Sequence, residues 1–381
     1  MKVILSIDSV KFPLTGIGRY TYELTKQLQS KSDLDLLMYA NGQLVSDLPA
    51  TGQIKPRRSG WLRGQLLKSD LLTKTYQTLN GVRSQFSLKD QGDAIFHGPG
   101  FYLPTFSGSS VATFHDLSMF THAQYHPPER VRFMQRELNS TLQRASLLIT
   151  DSEYTRQELA SYFGYPLDKI RAIPLACSAV FHPREAVSTS SALNRLGLKH
   201  GDYTLYAGTI EPRKNIEALL DAYSALPDAI RRRWPLVLAG YQGWNSEHLH
   251  TRIAAAVSAG WAHYLGYVAD EDLPHLFAGA RVFVFPSHYE GFGLPVLEAM
   301  ASGVPVVCSN MSSLPEVAGE AALMCAPDDV DMLGQLISTA LEDENYRADA
   351  ITKGLVQSSA FSWQLCAKET MAVYQELTTR T

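Results

Sequence analysis

A chain of 381 residues, 45% of them hydrophobic and 19% charged, has apolar mass for two ordinary globular domains with ample core. No run of about 20 apolar residues occurs, so no membrane-spanning helix is expected, and the apolar start Met1–Asp8 is too short for a signal peptide and suits a first strand. The net charge of −4 is uneven: residues 1–178 hold 20 Lys+Arg against 15 Asp+Glu and the remainder 14 against 23, so the two halves are expected to face different partners.

In chain order, Val3 to Ile7 reads as a strand. It is followed by the loop Lys11–Tyr20, which contains Gly16 and Gly18, and by a helix through Leu24 and Leu28. A strand, a glycine turn and a helix form the usual phosphate-facing corner of an α/β unit, but the dinucleotide fingerprint G-x-G-x-x-G fails because Thr21 stands at its third glycine. A tight strand-to-helix turn explains this Gly-x-Gly equally well. Between Lys55 and Lys89, eight cations face the single acid Asp70 and are interleaved with Trp61, Leu62, Leu66, Leu67, Leu71, Leu72 and Tyr76. Such a basic amphipathic surface suits an anionic membrane, with a plain solvated helix face as the alternative. Nothing in it resembles a nucleic-acid module.

Two further strands, Ala94–Pro99 and Val111–Asp116, each end in a histidine, where an open parallel sheet presents its ligand edge. His97 reads as a structural residue. His115 is the sharper candidate, because the adjacent Asp116 can orient an imidazole and set its charge. A helix rich in arginine follows from Pro128 to Arg144, then a strand at Ser146–Thr150, after which Ser152 or Asp151 can cap the next helix. The first domain is expected over residues 1–178, a polar linker over 179–200, a second domain over 201–362 and a returning helix over 363–381.

The second half restarts with the strand Tyr203–Gly208 and the turn Thr209–Asn215, whose Arg213 and Lys214 precede a helix beginning near Ile216, where diphosphate charge would gather. Strand exits follow at Pro235–Gly240 and His263–Val268. The four cysteines, Cys177, Cys308, Cys325 and Cys366, match no C-x2-C metal pattern and read as thiols in a reducing cytoplasm. Asp33-Leu34-Asp35, Asp270-Glu271-Asp272 and Asp329-Val330-Asp331 have the D-x-D form of a metal site. The last two stand at expected helix starts, where acids cap, and the first precedes a strand, so no catalytic metal is expected.

The most informative stretch is Phe285–Met300. A buried strand, Val282–Phe285, leads into a loop with Glu290, Gly291, Phe292 and Gly293, and Pro295 suits the first turn of a helix that carries Glu298. Two carboxylates eight residues apart thus flank a glycine-rich turn whose free N–H groups favour an anion. This E-x7-E segment resembles the donor-binding motif of retaining GT-B glycosyltransferases of glycosyltransferase family 4, and the Arg213-Lys214 pair is shared with that family. The loop Thr15–Tyr20 and the run Phe114–Ser118 are similar to those of bacterial GDP-mannose-dependent mannosyltransferases of O-antigen and related polysaccharide synthesis, with rhamnosyl donors as an open alternative.

The resemblance implies an α/β fold of two Rossmann-like domains facing across a cleft, with a final helix, around Phe361 to Leu377, crossing back to the first. The implied enzyme is a hexosyltransferase that moves mannose from GDP-mannose, without cofactor or metal, to a hydroxyl of a polyprenyl-diphosphate-linked glycan on the inner face of the plasma membrane. By the same resemblance, Arg213 and Lys214 stabilise the departing diphosphate, Glu290 holds sugar hydroxyls, Glu298 the ribose, and His115 positions the sugar and incoming hydroxyl. Phe292, Gly293 and Leu294 line the sugar and phosphate through their backbone, Gly16 and Gly18 lie beside the phosphates, and backbone near Val268 holds the base. A nucleotide-sugar epimerase or a phosphorylase of the same architecture, and a non-catalytic partner subunit, are the rival readings. Retention of Glu290, Glu298, Arg213 and Lys214 together argues against the last.

Overall fold

The computed structural model of the chain describes residues 1–14, 16–49 and 83–379. The basic amphipathic segment lies outside the described residues from Lys55 through Tyr76, and only its end, residues 83–89, is among them.

The first sheet contains β1 (Lys2–Ser6), β2 (Asp35–Ala40), β3 (Gln43–Val45), β4 (Ile95–Gly98), β5 (Ser110–Phe114), β6 (Leu147–Thr150) and β7 (Ile170–Ala172) in the order β3-β2-β1-β4-β5-β6-β7. All its pairings are parallel except β2 with β3. That hairpin turns on Asn41-Gly42, both with positive φ, the dipeptide a tight hairpin turn demands. The second sheet contains β8 (Thr204–Ala207), β9 (Leu236–Ala239), β10 (Ala262–Gly266), β11 (Val282–Phe285), β12 (Val306–Ser309) and β13 (Ala322–Cys325) in the order β10-β9-β8-β11-β12-β13, parallel throughout. Helices cover both sheets, so strands such as Thr204–Ala207 and Val282–Phe285 are buried along their whole length, and the second reads as an unbroken apolar run.

In each sheet the chain reverses its direction of winding once, between β1 and β4 in the first and between β8 and β11 in the second. Crevices at the carboxyl ends of such strand pairs are where open α/β sheets bind ligands. In the second sheet, β8 runs into the Arg213-Lys214 turn and β11 into the Glu290 loop, so the topology alone brings these residues together.

The stretch 179–200, expected as a polar linker, holds the helix Ala186–Arg195, whose Thr189, Ala192 and Leu193 are buried. The final helix, Trp363–Thr379, returns to the first domain as expected. Tyr374 Oη lies 2.6 Å from His97 Nδ1, Arg171 pairs with Glu376 at 2.7 Å, and Trp363 packs on Tyr20 with ring centroids 6.3 Å apart. His97 is the satisfied core histidine expected, fully buried, with Nε2 on Thr113 Oγ1 at 2.9 Å. Burial, and after it the charge of His115, pushes its pKa down to about 3, so it stays neutral.

Candidate active site

The single-turn helix Pro212–Lys214 presents both cations, and Asn215 ends it in the left-handed conformation that asparagine tolerates. The Asn215 amide donates to Pro286 O at 3.1 Å and to Pro327 O at 2.7 Å, which ties the turn to the end of β11. Across the crevice, Lys214 Nζ lies 2.6 Å from Glu290 Oε1 and Arg213 Nη1 3.1 Å from Glu290 Oε2. Arg213 also donates through Nη1 to Tyr289 O at 2.5 Å and through Nη2 to Glu211 Oε1 at 2.9 Å. The three side chains that sequence reading assigned to the diphosphate and the sugar thus form one nearly buried ion cluster. Its members are 10 to 12% exposed.

Burial alone would raise the Glu290 pKa, but Lys214 and then Arg213 outweigh it and hold it at about 2. Burial and the neighbouring Arg213 lower the Lys214 pKa, against the pull of Glu290. Arg213 is raised by Glu290, Asp116 and Glu211 in spite of its burial. Two cations thus share the Glu290 carboxylate, with Glu211 as a second acid on Arg213, and a planar fork and a point charge stand side by side.

Glu298 sits in the helix Leu294–Ala301, buried, and no hydrogen bond joins its carboxylate to another described residue. Burial pushes its pKa up to about 7; Arg19 opposes this and Asp270 adds to it. Arg19, which sequence reading did not single out, stands in the first turn of the helix Gly16–Gln29, which begins inside the stretch Lys11–Tyr20 that was expected to be a loop. Gly293 starts this helix at φ 113°, where a Cβ would also lie 2.6 Å from Leu314. Leu294 is the first helical residue, and Phe292 is buried edge-on against Phe361. Gly16 has open space where a Cβ would be, whereas Gly18 is required because a Cβ there would meet Ser9 O at 2.8 Å. Val268 is buried just past β10. Beside it the exposed rings of Tyr241 and Tyr267 stack 4.7 Å apart.

His115 stands at the exit of β5, but Asp116 does not orient it. Consecutive residues of an extended chain point to opposite sides. Asp116 Oδ1 instead accepts from Ser118 N at 2.9 Å and Ser118 Oγ at 2.8 Å. The orienting carboxylate is Asp151, at the exit of the adjacent β6, with Oδ2 2.7 Å from His115 Nδ1. His115 Nε2 lies 2.7 Å from Pro99 O. Both ring nitrogens therefore face acceptors, the arrangement of an imidazolium. Burial opposes that charge, but Asp151 prevails and raises the His115 pKa. The ring is walled in by Tyr20 and Phe101, so His115 brings charge, not a free ring nitrogen, to the cleft.

Of the D-x-D acids, Asp329 caps its helix as expected, accepting from Met332 N at 3.0 Å. Asp272 makes no such cap and pairs with Arg195 at 2.5 Å. No group of three or more His, Cys, Asp or Glu that could hold a metal ion occurs among the described residues.

Residues 14–177 match Glycosyltransferase Family 4 and residues 194–356 match Glycosyl transferases group 1. The chain is 44% identical over 381 residues to O-antigen chain mannosyltransferase B of Escherichia coli, with 99% of this chain and 100% of that protein covered. It is 35% identical over 265 residues to the serotype-specific mannosyltransferase WbdA of Escherichia coli, which covers 67% of this chain but 32% of that longer protein. Among solved structures, a sucrose-phosphate synthase from Thermosynechococcus elongatus superposes with a TM-score of 0.73 at 20% identity over 100% of both chains. WaaG, a glycosyltransferase involved in lipopolysaccharide biosynthesis, gives 0.71 at 13% identity, covering 98% of this chain and 99% of its own. With a relative 44% identical over its full length and a two-sheet architecture that carries the Arg213–Lys214–Glu290 cluster at its switch point, the chain belongs to the GT-B glycosyltransferases of family 4.

Proposed function

We propose that this glycosyltransferase moves a mannosyl unit, with retention of configuration, from GDP-mannose to a hydroxyl of a growing polyprenyl-diphosphate-linked glycan of a bacterial surface polysaccharide. The observation that carries the chemistry is the buried Arg213–Lys214–Glu290 cluster; the similarity to O-antigen mannosyltransferase B supports the sugar. In this reading the donor diphosphate takes Arg213 and Lys214, and the charge developing on it is met by groups already in place, the largest usual term in catalysis. Glu290, released from the cations, accepts from sugar hydroxyls. The backbone of Phe292, Gly293 and Leu294 lines the sugar and phosphate, and backbone near Val268 takes the base. The acceptor attacks from the face the diphosphate leaves, and the leaving phosphate receives its proton. Asp116, whose charge reaches Arg213, lies on the acceptor side with His115.

No metal takes part in this scheme, because Arg213 and Lys214 supply the charge that meets the diphosphate. The reaction takes place in the cytoplasm, with the basic Lys55–Lys89 segment docking the enzyme on anionic lipid. One preparation tests these assignments together. GDP-mannose should raise its melting temperature in EDTA more than UDP-sugars do, and the protein should pellet with anionic vesicles at low salt and not at high salt. Stabilisation by UDP-sugars alone would overturn the donor, dependence on Mn²⁺ the metal-free scheme, and a protein left in the supernatant at both salts the membrane contact.

Glu298 gives the donor site a pH dependence. A ribose diol donates to a carboxylate, and a carboxyl whose pKa stands at about 7 loses that acceptor as pH falls. GDP affinity should therefore weaken from pH 8 to pH 6, and Glu298→Gln should give a weaker but flat profile. Calorimetric titration with GDP across that range checks it; a wild-type profile as flat as that of the variant would remove Glu298 from the ribose.

A further inference from the structure

Glu290 belongs to the second domain, yet the residues on either side of it are held by the first. Gly291 O accepts from Ser152 Oγ at 2.8 Å and from Thr155 Oγ1 at 3.3 Å, across 139 and 136 residues of sequence. Tyr289 Oη accepts from Leu117 N at 3.0 Å and donates to Glu158 Oε2 at 2.5 Å. Gly291 sits so close to the first domain that a Cβ on it would fall 1.7 Å from His115 O. Glu316 completes the joint from the other side, accepting from Glu153 N at 2.8 Å and Tyr154 N at 2.5 Å, the first two N–H groups of the helix Glu153–Phe163. These groups are the unpaired donors of a helix start, so a second-domain carboxylate there acts as their cap.

Of the four successive carbonyls 289 to 292, Arg213 takes the first, and the single hydroxyl proton of Ser313 serves the second and fourth, whose oxygens lie 2.9 and 2.8 Å from its Oγ; both are second-domain residues. The third, Gly291 O, is met from the first domain alone. Ser152, Thr155 and Gly291 are buried at this joint, so with the domains apart this carbonyl and these hydroxyls would be exposed to water.

We infer that Ser152, Thr155 and Tyr289 are positioning residues that seat Glu290 against the donor sugar when the domains are closed, so that the acceptor domain sets the geometry of the sugar site on its partner domain. The inference rests on the donor reading above. It separates binding from chemistry, because the proposed base and ribose contacts, near Val268 and at Glu298, and the cations of the diphosphate, Arg213 and Lys214, lie in the second domain, with only Gly16 and Gly18 reaching the phosphates from the first. Loosening the joint leaves those groups in place and lets the Glu290 loop drift, and a displacement of about 1 Å at a reacting centre costs up to about 100-fold in rate.

Two readouts test it: calorimetric titration with GDP, and release of GDP from GDP-mannose with an α-mannosyl oligosaccharide as acceptor. Ser152→Ala and Tyr289→Phe should each lower kcat about 10-fold or more, with GDP affinity unchanged or raised. Ser152→Thr, which keeps the hydroxyl, should restore most of the kcat. Because Ser152 also caps its own helix through Thr155 N, Thr155→Val serves as a second variant that keeps this cap, and it should show the same split between kcat and affinity. Unchanged kcat in Ser152→Ala and Tyr289→Phe, or GDP affinity falling in step with kcat, would overturn the inference. A wild-type protein that neither binds GDP nor releases it from GDP-mannose would overturn the donor reading, and this inference with it.

Discussion

Replacing Arg213 or Lys214 with alanine is expected to lower turnover at least about 100-fold, because a preorganised charge on a leaving group is worth about 3 kcal/mol or more. The geometry sharpens the expectation. Arg213 contacts Tyr289 O, Glu290 and Glu211 at once, so its fork organises the loop as well as supplying charge. Arg213→Lys keeps the charge and cannot span those partners, and it should recover only a small part of the lost rate. Lys214 is a point charge over the Phe285 ring, with its ammonium 5.0 Å from the ring centre, so for it charge is the main contribution. Steady-state rates beside melting temperatures check this. Near-normal turnover in both alanine variants would take the pair out of the mechanism.

The second large effect is expected at Glu290. Its pKa, depressed to about 2 from an ordinary value of 4.5, corresponds to about 3 kcal/mol of stability at neutral pH. For a depressed carboxyl that contribution is present above the ordinary value and is lost as pH falls from about 4.5 through about 2. Glu290→Gln removes it at every pH and leaves two buried cations sharing no carboxylate, so it should lower stability by about 3 kcal/mol and abolish most transfer. GDP or inorganic pyrophosphate should then bind the variant more tightly than the wild type, because in the wild type the diphosphate must displace Glu290 from the same two cations. Denaturant unfolding with and without GDP reads both effects. Weaker GDP binding by the variant would mean that Glu290 holds the cations in place instead of competing for them.

Much of this site was legible because its parts are local. The Glu290 loop, the first turn of its helix and the Arg213-Lys214 turn are each specified by a few adjacent residues, and strand-end loops in a parallel sheet converge at the switch point whatever lies between them. The parts that were not legible are long-range. Nothing near His115 in sequence points to Asp151, which reaches it only because β5 and β6 are neighbours. The joint of Ser152, Thr155 and Tyr289 depends on how two domains meet, which no periodicity encodes. Arg19 lay in a motif noted for its glycines, and its charge acts on Glu298 from more than 270 residues away in sequence. The hairpin at Asn41-Gly42 is different: its turn signal is local and strong, and the reading of the sequence passed over it.

The final helix carries a consequence for the order in which the molecule can be completed. Tyr374 closes over His97, Trp363 over Tyr20, and Glu376 over Arg171, all residues from the first half of the chain. The first domain's sheet is therefore finished by residues that leave the ribosome after the whole second sheet, and the histidine at its centre gains its Tyr374 partner only then. The domain made first is thus completed only after the domain made second.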